Sequence, residues 1–272
     1  MSHKLSIGIL GTGNMSRAFV LSIQNAVGVI GVKGRTLEAS NYFATELNVI
    51  DWHDPSAWSE SDVWVIGVKP NQFQTACVPL ESIYDAACHK PTIISLMAGV
   101  SLATLETQFP NANVVKVMAN LSIATSKPVF AVNTNTSLED IPFADVLKTL
   151  GDLVVLNEKE MHLATVLLGS GPAIFLAIQQ RLYESGKKLG LSDVKSLQLS
   201  QGALSGASAL SVNQFIPQDL INQIASPGGT TEAALNVIDH SELLGCCEDA
   251  VVAACERSIE ISYNGQNNEN SD

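Results

Sequence analysis

The chain of 272 residues is short of charge and shorter still of aromatics: Asp, Glu, Lys and Arg make up 15% of it, and Phe, Trp and Tyr 6%. Globular domains usually carry about a quarter charged residues. The core must therefore come from Ala, Val, Leu and Ile, and much of the surface from Ser, Thr, Asn and Gln. Basic residues are the scarcer sign, 15 Lys and Arg against 27 Asp and Glu, for a net charge of −12. Nucleic acid and anionic membrane surfaces both call for a basic field, so neither is expected as a partner. The deficit is uneven. Residues 1–150 carry 9 basic and 12 acidic side chains, and residues 151–272 carry 6 and 15. An anionic ligand is better served by the first half.

No uninterrupted apolar run reaches the roughly 18–20 residues of a membrane span. The opening Met1-Ser2-His3-Lys4 leads directly into a strand-like segment, without the charged region and cleavage site of a secretory signal. The five cysteines (Cys77, Cys88, Cys246, Cys247, Cys255) are odd in number and lack metal-type spacing. The adjacent Cys246 and Cys247 lie in a helical pattern and read as packing. The expectation is a reduced, cytoplasmic protein with no metal. Five histidines (His3, His53, His89, His162, His240) are scattered without an evident carboxylate partner.

What is present changes character near residue 157. Up to there, near-continuous apolar runs (Leu5–Leu10, Val27–Val32, Val63–Val68, Thr92–Met97, Val114–Met118, Val129–Val132) alternate with amphipathic stretches such as Asn14–Ala26. That alternation predicts a Rossmann-type, doubly wound α/β domain, its parallel sheet covered on both faces. Beyond it only helical periodicity remains, over Met161–Leu168, Ala173–Leu189, Asp193–Leu210, Thr230–Ile238 and Leu243–Ile261, broken by Gly190, Pro217 and Pro227-Gly228-Gly229. Two domains are expected: 1–157, binding a nucleotide, and 158–272, all-helical, with 262–272 a frayed tail.

Gly11-Thr12-Gly13-Asn14-Met15-Ser16 joins the first strand to the first helix. A G-x-G-x-x-G/A match is weak alone, and Ser16 replaces its third small residue; the strand–turn–helix context strengthens it. Gly11 permits the tight turn, Gly13 lets the backbone approach a pyrophosphate, and the helix-start amides bind that anion. An acid at the end of the second strand would select NAD. Here Val32-Lys33-Gly34-Arg35-Thr36 has no acid before Glu38. Arg35 can fork onto a 2′-phosphate, Thr36 can donate to it and Lys33 adds charge, so NADP(H) is favoured, with NAD(H) possible. Val68-Lys69-Pro70 and Ala98-Gly99 close two further strands at the end where ligands of such sheets bind. The small Ala98-Gly99 turn suits close passage beside a nicotinamide, and Lys69 can reach the ribose.

In the helical half, Ser226-Pro227-Gly228-Gly229-Thr230-Thr231 precedes a helix. Its turn frees backbone N–H groups and adds two hydroxyls, enough to hold a carboxylate without a basic side chain.

Taken in order, Gly11–Met15, Val68–Pro70, Ala98–Val100, Met118-Ala119-Asn120, Gly169–Ala173 and Ser226–Thr231, with Arg257-Ser258 near the end, resemble the pyrroline-5-carboxylate reductases over essentially residues 4–262. The resemblance implies a nicotinamide-binding Rossmann domain and a helical domain through which subunits interlock as a dimer. It also implies reduction of 1-pyrroline-5-carboxylate to proline by NAD(P)H, the last step of proline synthesis. Carried onto this chain, Ser226, Gly228, Gly229 and Thr230 would bind the substrate carboxylate. Thr231 would be the catalytic residue at the imine nitrogen, and Asn120 would sit where substrate and cofactor meet. The chain departs from the family at Ala119, Leu121 and Ser122, where Arg-x-Met-Pro-Asn-Thr-Pro is usual. It departs again at Leu168, for a serine, and at Ile174, for an aromatic.

A protonated cyclic imine needs little acid–base help, so orientation is the main expected source of catalysis. Two alternatives remain at this level: a reductase of another cyclic imine or small imino or keto acid, and a non-catalytic NADP-binding protein. A 3-hydroxyacid dehydrogenase would place a lysine early in the long helix after Gly169, where Gln179, Gln180 and Arg181 stand and Lys187 comes late.

Overall fold

The computed structural model describes residues 4–87, 89–124, 128–211 and 216–267, the last five without their side chains. Two compact units emerge, one of residues 1–169 with 255–272, the other of 170–254.

The first unit is an eight-stranded sheet. Its strands are β1 (Ser6–Leu10), β2 (Val29–Lys33), β3 (Ile50–Asp51), β4 (Val63–Ile66), β5 (Thr92–Ser95), β6 (Val114–Met118), β7 (Val129–Thr134) and β8 (Asp152–Val155). They lie in the order β3-β2-β1-β4-β5-β6-β7-β8. Every neighbouring pair is parallel except β6 and β7, which run antiparallel. The expectation of parallel strands fails there for a physical reason. A parallel return needs a crossover of a dozen or more residues, and the link after Met118 is shorter, with a 3₁₀ turn at Leu121–Ala124 among its described residues. β8 and the helix α5 (Pro142–Leu150) before it are absent from the sequence expectations. β8 escapes them because its apolar run, Leu153-Val154-Val155, is short and mostly exposed.

Helices α1 (Asn14–Ile23), α2 (Leu37–Leu47) and α5 pack over one apolar cluster with Ile7, Ile9, Val32, Val65 and Phe143. Helices α3 (Phe73–Ala86) and α4 (Leu102–Gln108) cover a second cluster, where the scarce aromatics collect. Trp58 meets Trp64 edge-on at 5.3 Å and Trp52 at 6.1 Å, and Trp64 touches Tyr84 and Phe109. Edge-on pairs add about 0.5–1.5 kcal/mol each beyond area burial. Space for the rings comes from Gly8 and Gly31, which face each other across β1 and β2. A Cβ on Gly31 would lie 1.8 Å from the Trp52 ring, and one on Gly8 2.6 Å from that of Trp58.

Among the described residues, strands end at Val155 and only helices follow: α6 (Glu158–Ala164), a π-helical stretch Thr165–Ser170, α7 (Gly171–Lys188), α8 (Asp193–Ser211), α9 (Pro217–Ile224), α10 (Thr230–Asp239) and α11 (Leu243–Asn267). Compactness groups α6 and the end of α11 with the sheet, so the units do not divide at residue 157. α11 continues as helix to Asn267, so residues 262–267 are not the frayed tail suggested by their polar composition. α7 and α8 form a tight pair, with Ser196 Oγ donating to the Tyr183 carbonyl beside Gly186. The second unit buries little else. Phe175, Leu182, Leu199 and Val237 are all exposed. The run Glu158–Lys188 is long and apolar enough to cross a membrane by length and composition alone.

Candidate functional site

The strand order reverses direction between β1 and β4, and ligands of open α/β sheets bind in that crevice, beyond the strand ends. Gly11 turns the chain out of β1 with φ +110°, and a Cβ there would lie 2.7 Å from the Gly67 carbonyl. Both facts demand glycine. Gly13 is a different case. It is the exposed N-cap of α1, its φ is −80°, and the nearest protein atom to a Cβ would be 4.0 Å away. Nothing inside the protein requires a glycine at that point. The open space beside its backbone is what an approaching pyrophosphate uses. No side chain caps α1, and its first turn holds no acid, so its leading amides face outward with the positive end of the helix dipole. Ser16, in the third small position, is fully buried and donates to the Gly67 carbonyl. Asn14 is exposed at the helix start, and Met15 packs partly buried against the core.

The β2–α2 turn divides the expected phosphate ligands. Arg35 is exposed and makes no ion pair among the described residues. Thr36 caps α2, accepting the Ala39 N–H at 3.2 Å, with its hydroxyl proton left to donate. Lys33 points elsewhere. It is 8% exposed, and its Nζ donates to the His53 carbonyl at 2.9 Å. Burial lowers its pKa, opposed by Asp51 and Asp54. Strand alternation explains the outcome, because Lys33 is still a β2 residue and its side chain follows the pleat. Ser40, which the sequence reading passed over, shapes the turn. It is fully buried and accepts the Gly34 N–H at 2.7 Å, with the Thr36 carbonyl 3.2 Å from its Oγ. Thr12, Gly13, Asn14, Arg17, Tyr42 and Glu46 border an open cleft of about 280 Å³ beside this turn, bridged by an Arg17–Glu46 ion pair.

Val68, Lys69 and Pro70 follow β4, with Lys69 exposed and Pro70 opening a 3₁₀ turn. Half-buried Ala98 and Gly99 follow β5, Gly99 with φ +78°. The same sheet end thus gathers the Gly11–Met15, Val68–Pro70 and Ala98–Gly99 turns. Behind them, buried Lys116 pairs with Glu158, whose other oxygen accepts the Leu102 N–H. His162 lies half-buried beside Lys116. Burial is the main force lowering its pKa, with the Lys116 charge acting in the same sense and Glu158 against it. Asn120 ties its own turn to the π-helical stretch, donating to the Leu168 carbonyl at 3.1 Å and accepting from Ser122 through its N–H and its hydroxyl. Its side chain braces that loop in this structure.

In the second unit, α10 begins at Gly229 with no side-chain cap, while Gly228 adopts φ +72°. The amides of the two glycines are occupied: Gly229 donates to the Ser226 carbonyl, and Gly228 to the Glu232 carboxylate, both at 2.9 Å. The donors open to an anion are therefore the amides and hydroxyls of Thr230 and Thr231, one residue further along than the glycines suggested.

Two family models match the chain. One, described as pyrroline-5-carboxylate reductase dimerisation, matches residues 158–261. The other, described as NADP oxidoreductase coenzyme F420-dependent, matches residues 6–99. A pyrroline-5-carboxylate reductase of Aquifex aeolicus (strain VF5) is 30% identical over 265 residues, which cover 94% of this chain and 97% of that protein. A solved pyrroline-5-carboxylate reductase of Coxiella burnetii superposes with a TM-score of 0.84 at 26% identity, covering 96% of this chain and 99% of its own. The 1-pyrroline-5-carboxylate reductase of Streptococcus pyogenes superposes at 0.79 with 27% identity, over 94% and 98%.

Proposed function

The chain belongs to the pyrroline-5-carboxylate reductase family, and we propose that it reduces the C=N bond of 1-pyrroline-5-carboxylate to L-proline, closing proline synthesis. One observation carries the reading. Two helices, α1 and α10, open on glycine N-caps without side-chain caps, one in each unit, and each suits an anion. A dinucleotide pyrophosphate and a carboxylate substrate are the two anions this reaction brings together.

The cofactor is a nicotinamide dinucleotide, and NADP(H) is the form we favour, with NAD(H) also usable. The acid-free β2–α2 turn and exposed Arg35 support that preference. Bound there, the nicotinamide supplies the hydride that adds to the imine carbon. The chain does the rest by placement. Gly11, Gly13, Asn14 and Met15 hold the pyrophosphate; Arg35 and Thr36 hold the 2′-phosphate; Val68, Lys69 and Pro70 follow the ribose; Ala98 and Gly99 border the ring. Ser226, Thr230 and the glycines that shape their turn receive the substrate carboxylate, and the Thr231 hydroxyl meets the imine nitrogen. That nitrogen, protonated before the reaction, keeps its proton and takes up the electron pair of the C=N bond. No side chain has to deliver a proton.

The exposed apolar residues of the second unit are covered, in this reading, by a second copy of the chain, which the dimerisation model over 158–261 supports. The same cover accounts for the apolar run of Glu158–Lys188 without a membrane.

NADPH oxidation followed with pyrroline-5-carboxylate, its six-membered homologue and 3-oxo acids tests the substrate. The five-membered imine is expected to give the highest kcat/KM. Thr231→Ala is expected to lower kcat by about 10- to 100-fold, the usual loss for one transition-state hydrogen bond, with NADPH binding intact. Unchanged turnover in Thr231→Ala removes its catalytic role. NADPH binding without turnover on any of the three substrates turns the reading to a cofactor-binding protein.

A further inference from the structure

The last turns of α11 return to the sheet unit and press on the turn that follows β5. A Cβ on Gly99 would lie 2.5 Å from Ile261 Cγ2 and 3.2 Å from Ile261 Cβ, so the backbone of the turn lies directly under that side chain. One helical turn earlier Ser258, 5% exposed, has its Oγ 3.0 Å from His162 Nδ1. His162 and Glu158 stand four residues apart on α6, and Glu158 holds both buried Lys116 and the Leu102 amide at the far side of the same turn. The recess among these groups measures about 10 Å³, room for one water at most and too small for a ligand. It is a packed contact.

From these contacts we propose that the C-terminal end of α11, through Ile261 and Ser258, positions the Ala98–Gly99 turn for hydride transfer. The proposal rests on the reading that this turn borders the nicotinamide. Gly99 sits at φ +78°, a conformation that leaves its peptide planes without a side chain to wedge them. Something outside the turn must fix them. Ile261 closes it from above, Glu158 ties down its exit at Leu102, and the Ser258–His162 hydrogen bond keeps α11 in register with α6. Ile261 and Ser258 touch neither cofactor nor substrate in this arrangement; they are positioning residues, acting through Gly99. Removing the Ile261 contact lets the turn shift, and a misplacement on the order of 1 Å at the reacting atoms lowers a rate by roughly tenfold to a hundredfold.

The experiment uses the full-length protein with Ile261→Ala, Ile261→Val and Ser258→Ala. Three readouts are taken: kcat, the isotope effect with NADPH deuterated at the transferred position, and inhibition by 2′,5′-ADP, which carries the adenosine and phosphates but no nicotinamide. Expected for Ile261→Ala is a kcat about tenfold lower with a larger isotope effect, while 2′,5′-ADP affinity stays within about twofold. Ile261→Val should recover most of the rate, and Ser258→Ala should show the same split more weakly. An unchanged kcat and isotope effect overturns the proposal. So does a loss matched by an equal loss in 2′,5′-ADP affinity, the mark of general loosening. If Ile261→Ala does not fold, the milder Ile261→Val and Ser258→Ala carry the same test. Gly99→Ala separates the underlying reading. If it too leaves kcat and the NADPH KM unchanged, the turn is not at the nicotinamide. If it impairs both while the Ile261 and Ser258 variants behave as wild type, only the positioning role is lost.

Discussion

Arg35→Ala should separate NADPH from NADH more sharply than the sequence alone implies. Two basic residues flank the β2–α2 turn, and a simple count would share the 2′-phosphate between them. The geometry does not. Lys33 is buried and its ammonium is spent on the His53 carbonyl, whereas the Arg35 side chain is exposed and free of ion pairs among the described residues. A hydrogen bond to a charged group contributes about 1.5–3 kcal/mol. In an exposed turn the lower end applies, because solvent screens the charge. The NADPH KM of Arg35→Ala should therefore rise by roughly 10- to 30-fold, and the NADH KM by less than about twofold. The increase should shrink as ionic strength is raised, since wild type loses the same attraction to screening. Lys33→Met is the companion variant. It should lower the melting temperature by removing a buried donor from the His53 carbonyl, yet leave the NADPH-to-NADH ratio of KM values nearly unchanged. Steady-state KM values for both cofactors at two salt concentrations settle the point. If Lys33→Met collapses the ratio as Arg35→Ala does, the division of labour is wrong.

Two glycines make opposite predictions. Gly13→Val should keep its melting temperature within a few degrees, since no protein atom lies within 4.0 Å of the added Cβ, but should weaken NADPH binding by more than about tenfold in a fluorescence titration, by occupying the pyrophosphate's place. Gly31→Ala should fold poorly or lose about 1–3 kcal/mol in denaturant unfolding, because its Cβ would lie 1.8 Å from the Trp52 ring. Equal stability losses in both variants would refute the assignment of one glycine to a ligand and the other to packing.

The residues that were legible in the sequence are those whose role is local. Gly11 and Gly13 announce a turn by being glycines between an apolar run and a helix, and the turn is there. The strands β1, β4, β5 and β6 are legible because a strand buried on both faces is apolar along most of its length. What was hidden depends on contacts between distant segments. The antiparallel β7 follows from the length of a connection, and the apolar run of β8 is only three residues long and mostly exposed. Ser40 is one serine among many until its buried Oγ is seen beneath the Arg35 turn. Lys33 misleads because its strand position, and not its charge, decides where it points. Ser258 and Ile261 lie at the end of the expected helix Leu243–Ile261, where the sequence shows periodicity but no partner, and only the contact of that helix with Gly99 gives them a place.

A chain with net charge −12 and so few basic residues must bind two anionic ligands. Its helix starts indicate how. Thr36, Ser101 and Asn157 cap α2, α4 and α6 with their own side chains, while α1 and α10 begin on Gly13 and Gly229 without one. A missing polar cap forgoes about 0.5–2 kcal/mol of helix stability, although glycine is the mildest replacement. Helices α3, α5, α7 and α9 also lack a side-chain cap, but α5, α7 and α9 carry Pro in their first turn, whereas α1 and α10 open on glycine and keep donors in reserve at both places. At α1 no acid competes for them in the first turn. At α10 Glu232 takes the Gly228 amide but leaves the threonines ahead of it. The donors left at α10 are the amides and hydroxyls of Thr230 and Thr231, the groups to which the proposed reaction gives the substrate.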